Sequence, residues 1–418
     1  MTTAHRAPEQ QDQHTRPTAP DRPTAPAPAA AAARTPDGGP RPTAAGAAGL
    51  TAATTRVLGT AADLAAIGEQ QYGLAAEAAL ATTRAGFARH FVPARFGGAE
   101  GTFGDLVAAS ARLAEGCTSA AWWAGLQAAH GRLAAFLPER GQEEIWRDCP
   151  DVPIAAALVP PAGSLTRTSD GVAVQGRWRS VSGVANADWV LLAVPHPDAL
   201  PGDFTVVAVE RRALTVHETW RSNGLRGTGS HDVALPAPVA VPAHRCVRFM
   251  DIVRQSAEPG RARCHRVPPR LVAGLAFAAP AVGAARSALR AWVGPPAGGQ
   301  PGGRARPLSP ARGEVLARAS AEIDIAGTLL EQAAARADEG PVDEQVVARN
   351  LRDVALAVES AVAAVERLFR TAGVAAQQED SVLQRAWRDV HTLGAHGALD
   401  WEAAAAEYAR THPTAPAC

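Results

Sequence analysis

Residues 176–189 read GRWRSVSGVANADW and continue directly into the apolar segment VLLAV. Side chains alternate between the two faces of an extended strand, so Trp178, Ser180 and Ser182 are predicted to share one face. That face would offer an aromatic ring and two hydroxyl groups to a planar heteroaromatic ligand. The plainer interpretation is a strand that enters a hairpin, with serines that only hydrate its edge.

The composition argues against several classes of function. Acidic and basic side chains number 41 each, and the net charge of zero argues against a nucleic-acid partner. The sequence contains no lysine, so Schiff-base chemistry on lysine and a P-loop lysine are excluded. The five cysteines are scattered, without metal-ligand spacing. We therefore expect free thiols, no metal site, no membrane span and a cytoplasmic location.

Changes in residue composition and in hydrophobic periodicity along the chain predict its domains. Residues 1–45 lack large apolar side chains and are predicted to form a disordered tail. Residues 46–149 show helical patterns, including an apolar helix with two tryptophans, and are predicted to be an N-terminal helical domain. Residues 150–250 carry short β-branched runs between turn signals, which predicts a sandwich or barrel. Residues 251–418 return to long helical patterns, which predicts a bundle.

A second candidate site is the stretch at residues 224–235, which reads GLRGTGSHDVAL. Gly227 and Gly229 permit a tight turn whose backbone amides would face an anion. Arg226, beside that turn, would reach a phosphate. An ordinary structural β-turn fits the same spacing.

Two histidines are candidates for proton transfer, because histidine is the usual proton carrier near neutral pH. His396 follows Arg388 by roughly two helical turns, so both are predicted to lie on one helix face. His130 lies on the apolar helix near Trp122 and Trp123, where an indole-rich pocket would suit an aromatic ligand. The alternatives are a capping or exposed His396, and a His130 that is a satisfied core residue.

Four motifs follow one another along the chain: ARFGGAEG with LAEGCTSAAW, WRSVSGVANADWVLLAV, GLRGTGSHDVAL with VPAHR, and LQRAWRDVHTLGAH. Together they resemble the acyl-CoA dehydrogenase superfamily, and more closely its two-component, reduced-flavin-dependent monooxygenases, the group D hydroxylases. The resemblance spans about residues 50–412. It implies an α+β, acyl-CoA dehydrogenase-like fold with an N-terminal helical domain, a central β-barrel and a C-terminal four-helix bundle.

The resemblance also implies roles for single residues. Ser182 would lie near flavin N5, with Ser180 as its neighbouring candidate and Trp178 as a wall of the ring. His396 would lie close to where a flavin C4a-hydroperoxide forms, and His130 on the substrate side as the base that activates a phenol. The residues that would position the flavin are Arg226, Gly227, Thr228, Gly229, Ser230 and Arg388.

Cofactors and partners follow from the same resemblance. It implies reduced FMN or FAD, dioxygen, a separate flavin reductase and a homotetramer. The implied reaction is hydroxylation of an aromatic or polycyclic small molecule, in specialised metabolism such as antibiotic biosynthesis. The alternatives are an N-oxygenase of an amine or amino sugar, an acyl-CoA dehydrogenase or oxidase, and a scaffold protein that has lost flavin.

Three departures from the family pattern bear on these alternatives. Ala185 and Asn186 stand where the family often carries Asp-His. The chain lacks a Tyr-Glu-Gly element near its end, which weakens the dehydrogenase interpretation. The Gly- and Pro-rich segment near residues 295–310 is an unusual insertion that would reshape the pocket or its lid.

Overall fold

The computed structural model describes residues 49–196, 203–294 and 308–412. The predicted disordered tail lies outside these ranges, as does most of the Gly- and Pro-rich segment. The described chain runs from helices through strands and back to helices. The predicted order of elements is thus observed, while the exact domain boundaries at residues 46–149, 150–250 and 251–418 stay predictions.

From residue 49 to the first strand the structure describes six α-helices: α1 Leu50–Asp63, α2 Ala65–Gln71, α3 Ala76–Arg84, α4 Phe103–Ala114, α5 Thr118–Ala134 and α6 Glu139–Trp146. Helix α5 is the apolar helix predicted from the sequence, and nearly all of its side chains are buried. Its one arginine, Arg132, is buried too, and Nε donates to the Cys264 carbonyl oxygen at 2.6 Å. Such a helix, apolar on every side, is surrounded by other elements.

The described residues of the β-region form eight strands: β1 Ile154–Ala157, β2 Ser164–Arg167, β3 Gly171–Val181, β4 Trp189–Pro195, β5 Phe204–Glu210, β6 Thr215–His217, β7 His231–Pro242 and β8 Cys246–Arg248. They form two four-stranded sheets, ordered β1-β4-β5-β8 and β2-β3-β7-β6. Alternate residues of both sheets meet in one core, for example Val190 of β4 and Val233 of β7. The predicted barrel is therefore built from two facing sheets.

Within residues 249–294 and 308–412, seven α-helices follow: α7 Phe249–Gln255, α8 Pro269–Val272, α9 Leu275–Val293, α10 Pro310–Asp338, α11 Glu344–Thr371, α12 Val382–Gly394 and α13 Trp401–Arg410. Helices α9 to α12 pack as the predicted four-helix bundle, and α9 contacts the other three. The last predicted helix is divided in two, because α12 ends at Gly394 and Asp400 caps a new helix by accepting from Ala403 N–H at 2.7 Å.

The stretch Pro269–Val293 is long and apolar enough to cross a membrane by length and composition, with a mean hydropathy of 1.4. In the structure, 78% of its most apolar window is buried by the rest of the protein. This is the environment of a core helix in a bundle. Within residues 49–196, 203–294 and 308–412, no three His, Cys, Asp or Glu side chains are grouped so as to hold a metal ion.

Candidate active site

Strand β3 contains an irregularity inside the GRWRSVSG stretch. Its pairing with β7 shifts register just after Trp178, and Ser180 takes a left-handed backbone with φ of 56°. A bulge of this kind adds one residue to the strand and turns the following side chains to the other face. Ser180 is therefore exposed, whereas Ser182 is 9% exposed. The prediction that Trp178, Ser180 and Ser182 share one face is wrong.

Trp178 lies inside the core between the two sheets. Its side chain is 1% exposed, and its Nε1–H donates to the Ala193 carbonyl oxygen at 2.9 Å. An indole that is covered on all sides packs the sheets together and has no free face for a planar ligand. The predicted role as a wall of the flavin ring is corrected accordingly.

Ser182 follows the end of β3 and belongs to a row of hydroxyl groups. Its Oγ lies 2.8 Å from Ser230 Oγ, which lies 2.7 Å from Thr228 Oγ1. Thr228 Oγ1 donates to the Leu225 carbonyl oxygen at 2.9 Å. From the other side, Trp122 Nε1–H donates to Ser182 Oγ at 3.1 Å. The two stretches selected from the sequence, residues 176–189 and 224–235, therefore meet at Ser182.

The glycines of the second stretch allow the turn to approach helix α2 and the start of α5. A Cβ added to Gly227 would lie 3.1 Å from Ser119 Cβ. A Cβ added to Gly229, whose φ is 53°, would lie 3.2 Å from Gly73 Cα. These contacts explain both glycines by close packing. The predicted role of the turn amides and of Arg226 toward a flavin stays a prediction.

Two arginines near the turn are engaged by the protein itself. Arg226 Nε donates to the Asn223 carbonyl oxygen at 3.1 Å. Arg388 is buried; it donates to the same carbonyl oxygen at 2.7 Å and forms an ion pair with Glu69 at 2.8 Å. These bonds hold helix α12 against α2 and the turn. The structure thus gives Arg388 a positioning role, and flavin binding by Arg388 stays a prediction.

His396 lies beyond the end of α12, so the prediction that it shares a helix face with Arg388 is wrong. Its Nδ1 accepts a hydrogen bond from Ala398 N–H at 3.2 Å, as the capping alternative proposed. The neutral ring consequently carries its proton on Nε2. Burial lowers the pKa of His396, which favours this neutral form. The ring stacks on Phe277 with centroids 4.1 Å apart.

Trp122 connects the two sides of the site. Its Nε1–H bonds Ser182, and its ring lies edge-on to His396 with centroids 5.6 Å apart. The same ring contacts Phe277 at 5.1 Å. Ser182 and His396 therefore lie against one indole, although 214 positions separate them in the sequence. Trp122 was predicted only as a neighbour of His130; the Trp-Trp pair on a buried helix was the available signal in the sequence.

His130 lies on the same helix as Trp122 and is 7% exposed. Its Nδ1–H donates to the Ile154 carbonyl oxygen at 2.9 Å, so Nε2 keeps its lone pair. Burial lowers the pKa of His130 to about 4. Within the described part of the chain, no hydrogen bond or ring contact joins His130 to Ser182 or His396. Its place on the substrate side stays a prediction.

Comparison with known proteins identifies the family. The family model "Acyl-CoA dehydrogenase, C-terminal domain" matches residues 275–401. The FADH(2)-dependent resorcinol hydroxylase, oxygenase component, of Rhizobium sp. (strain MTP-10005) is 32% identical over 340 residues. The match covers 74% of this chain and 81% of that protein. The chain belongs to the flavin-dependent two-component monooxygenases.

Further relatives of this flavin-dependent monooxygenase agree. The oxygenase subunit HsaA of Rhodococcus jostii (strain RHA1) is 29% identical over 337 residues, covering 77% of this chain and 87% of HsaA. The crystal structure of 3-HSA hydroxylase from Rhodococcus sp. RHA1 superposes with a TM-score of 0.79 at 26% identity. It covers 87% of this chain and 96% of that chain. The predicted family, fold class and enzyme class are confirmed, as is the family's use of reduced flavin and dioxygen.

The residues around Ser182 fit a flavin ring at one point. Ser182 Oγ accepts from Trp122 and has a second lone pair for a further donor. A reduced isoalloxazine ring carries N–H donors that can occupy this lone pair. Trp123 is only 1% exposed and packs against Gly183 in the core between the sheets. Its Nε1–H, which has no hydrogen-bond partner among the described residues, is therefore not open to a ligand.

Proposed function

We propose that this chain is the oxygenase component of a two-component system that hydroxylates a phenolic aromatic or polycyclic small molecule. A separate reductase would supply reduced FMN or FAD. The observation that carries the proposal is the convergence of Ser182 and His396 on Trp122. Bound reduced flavin supplies, with dioxygen, the electrophilic oxygen that is transferred.

The names of relatives support a phenolic substrate and hydroxylation at carbon. Besides the resorcinol hydroxylase, the chain matches the oxygenase component of p-hydroxyphenylacetate 3-hydroxylase from Acinetobacter baumannii, at 24% identity over 341 residues. A pigment production hydroxylase of Rhodococcus erythropolis is 27% identical over 329 residues. That name supports our proposal of a role in specialised metabolism. No such support exists among these relatives for N-oxygenation, which we retain only as an outcome of the assay below.

His396 has the protonation that oxygen transfer requires. Its Nε2–H is a hydrogen-bond donor at neutral pH, since Nδ1 is occupied by Ala398 N–H. A neutral donor stabilises developing negative charge on oxygen without releasing its proton early. Phe277 and Trp122 contact the half-buried imidazole from two sides and hold its orientation.

His130 suits the activation of a phenol. Its Nε2 lone pair is available because Nδ1–H is held by the Ile154 carbonyl oxygen. The pKa of about 4 keeps this nitrogen unprotonated at neutral pH, and the same low basicity makes it a hydrogen-bond acceptor for a phenol, not a base that removes the phenol proton. A phenol hydroxyl that donates to Nε2 becomes a stronger nucleophile at its ring carbons, which then attack the electrophilic oxygen.

The proposal also includes a homotetramer. Several large apolar side chains are exposed on the helices, among them Ile325 and Val293 at 51% each and Trp401 at 38%. Apolar side chains exposed in this way favour contact between subunits. Light scattering coupled to size exclusion should give a mass near four chains; a monomeric mass would contradict this part of the proposal.

The assay combines the protein with a flavin reductase, NADH, flavin, oxygen and a panel of phenols. Mass spectrometry would detect the gain of one oxygen, and its position on carbon or nitrogen. The fraction of consumed oxygen that appears as product, rather than as hydrogen peroxide, should fall in Ser182→Ala and in His396→Ala. Ser180→Ala is the matched control, because Ser180 is exposed. Unchanged coupling in both Ser182→Ala and His396→Ala would refute the site.

A further inference from the structure

The row of hydroxyl groups beside Ser182 ends at a backbone carbonyl oxygen. The three successive oxygen–oxygen distances, from Ser182 through Ser230 and Thr228 to the Leu225 oxygen, are 2.8, 2.7 and 2.9 Å. All three hydroxyl side chains are buried, with Thr228 at 1% exposure. Two oxygens at such distances repel each other unless a proton lies between them, so each of the three gaps contains a proton.

Counting protons fixes the direction of this row. Each hydroxyl contributes one proton, and the Leu225 carbonyl oxygen contributes none. Three gaps and three protons leave one arrangement, in which every hydroxyl donates toward Leu225. Thr228 donates to Leu225, Ser230 donates to Thr228, and Ser182 donates to Ser230. The Ser182 hydroxyl proton is therefore donated to Ser230 and is not available to a ligand.

Ser182 consequently offers only an acceptor to a ligand. One lone pair of Ser182 Oγ receives the Trp122 Nε1–H, at 3.1 Å, and the other remains. A ligand atom that carries a hydrogen can donate to this lone pair. A ligand atom that presents its own lone pair would meet an unfavourable contact unless the whole row reversed.

The two redox states of a flavin differ in this respect at N5. The reduced ring has an N–H there, and the oxidised ring has a lone pair. We propose that Thr228 and Ser230 are positioning residues that hold the Ser182 hydroxyl as an acceptor and thereby favour the reduced ring over the oxidised ring. This inference rests on the proposed function and on the placement of flavin N5 near Ser182 that the family resemblance implies. It also provides a reason for oxidised flavin to leave after turnover.

Thr228→Val tests the inference with an isosteric side chain. Without the Thr228 hydroxyl, only the hydrogen bond between Ser230 and Ser182 remains, and it needs one of their two protons. Ser230 can then donate to Ser182, and Ser182 can donate its own proton to an unprotonated flavin nitrogen. Affinities for oxidised and for reduced flavin would be measured separately, the latter anaerobically, for FMN and for FAD. Affinity for the oxidised form should rise roughly threefold to tenfold, the range expected for one hydrogen bond. Affinity for the reduced form should stay within about twofold.

The ratio of the two affinities can be checked independently by redox titration of the bound flavin. The midpoint potential should fall by about 15 to 30 mV in Thr228→Val, since a tenfold change corresponds to about 30 mV for two electrons. Ser230→Ala interrupts the same row and should behave alike. Ser182→Ala should instead weaken binding of the reduced form alone. Thr205→Val, the same substitution at a buried position of β5, should change neither affinity.

The outcomes separate this inference from the proposed function. If the unmodified protein binds reduced flavin but Thr228→Val and Ser230→Ala leave the ratio unchanged, the inference is wrong and the proposed function stands. If either variant weakens both redox forms equally, the row has only a packing role, which also overturns the inference. If the unmodified protein binds neither form, the proposed function itself fails.

Discussion

His130→Gln tests the protonation state of the candidate site without flavin or substrate. Burial lowers the pKa of His130 from 6.5 to about 4 in the folded protein. A shift of this size corresponds to about 3 kcal/mol of preference for the neutral ring, at 1.36 kcal/mol for each pKa unit. A glutamine amide at this position would still donate to the Ile154 carbonyl oxygen but has no proton to gain on acidification.

The sign of the effect follows from proton binding. Between about pH 6.5 and pH 4, the unfolded chain binds a proton at His130 that the folded protein does not bind. The free energy of unfolding therefore falls as the pH falls through this window, and it is unaffected by His130 above about pH 7. The pKa of His265 is also lowered to about 4 by burial, and burial raises that of Asp389 to about 6. Both groups are present in the variant, so their contributions cancel in the comparison.

The assay compares urea unfolding of the two proteins at pH 7 and at pH 4.5. We compare the free energy of unfolding of His130→Gln with that of the unmodified protein at each pH. The difference, variant minus unmodified, should be about 2 to 3 kcal/mol more positive at pH 4.5 than at pH 7. NMR titration of histidines labelled at Cε1 should place the His130 resonance near pKa 4. A titration near 6.5, with no difference between the proteins at pH 4.5, would refute the assignment of a desolvated, neutral His130.

Three further substitutions have distinct expected results. Trp122→Phe removes the N–H that Ser182 accepts and replaces the buried indole by a smaller ring, so the free energy of unfolding in urea should fall by more than about 1 kcal/mol, the part due to the hydrogen bond; an unchanged value would contradict both the bond and the packing of the indole. Ser180→Ala should leave the affinity for reduced flavin within about twofold in an anaerobic titration, because one exposed hydroxyl contributes little. Arg388→Met leaves the half-buried Glu69 without its ion-pair partner and should reduce the free energy of unfolding by about 3 kcal/mol; loss of flavin affinity at full stability would instead indicate that Arg388 binds the cofactor.

Much of the fold could be predicted from local patterns in the amino-acid sequence. The buried helix α5, six of the eight described strands and the bundle follow from apolar periodicity and turn residues, whereas the short strands β2 and β8 were not predicted. The bulge at Ser180 could not be predicted from the sequence, because RWRSVSG alternates like a regular strand and serine rarely takes a left-handed backbone. One inserted position was enough to place Ser180 in solvent and Ser182 inside the site.

Which residues form the site depends on contacts between distant parts of the chain, and these could not be predicted from local patterns. Arg388 pairs with Glu69, 319 positions earlier, and no local pattern indicates that bond. The row from Ser182 to Thr228 joins two motifs that the sequence marked separately. Gly394 and Gly397 were the only sequence signals that α12 ends before His396. Extending the helix past Gly394 led to the wrong prediction that His396 shares a helix face with Arg388.

The most direct test of a common flavin site at Ser182 and His396 is an anaerobic crystal structure with reduced flavin bound. We expect flavin N5 within hydrogen-bond distance of Ser182 Oγ, about 3 Å, and the His396 imidazole against the same ring. The protein also has a separate cavity of about 520 Å³, lined in part by Arg95 and Arg261. A flavin ring bound in that cavity, away from Ser182 and His396, would contradict the account.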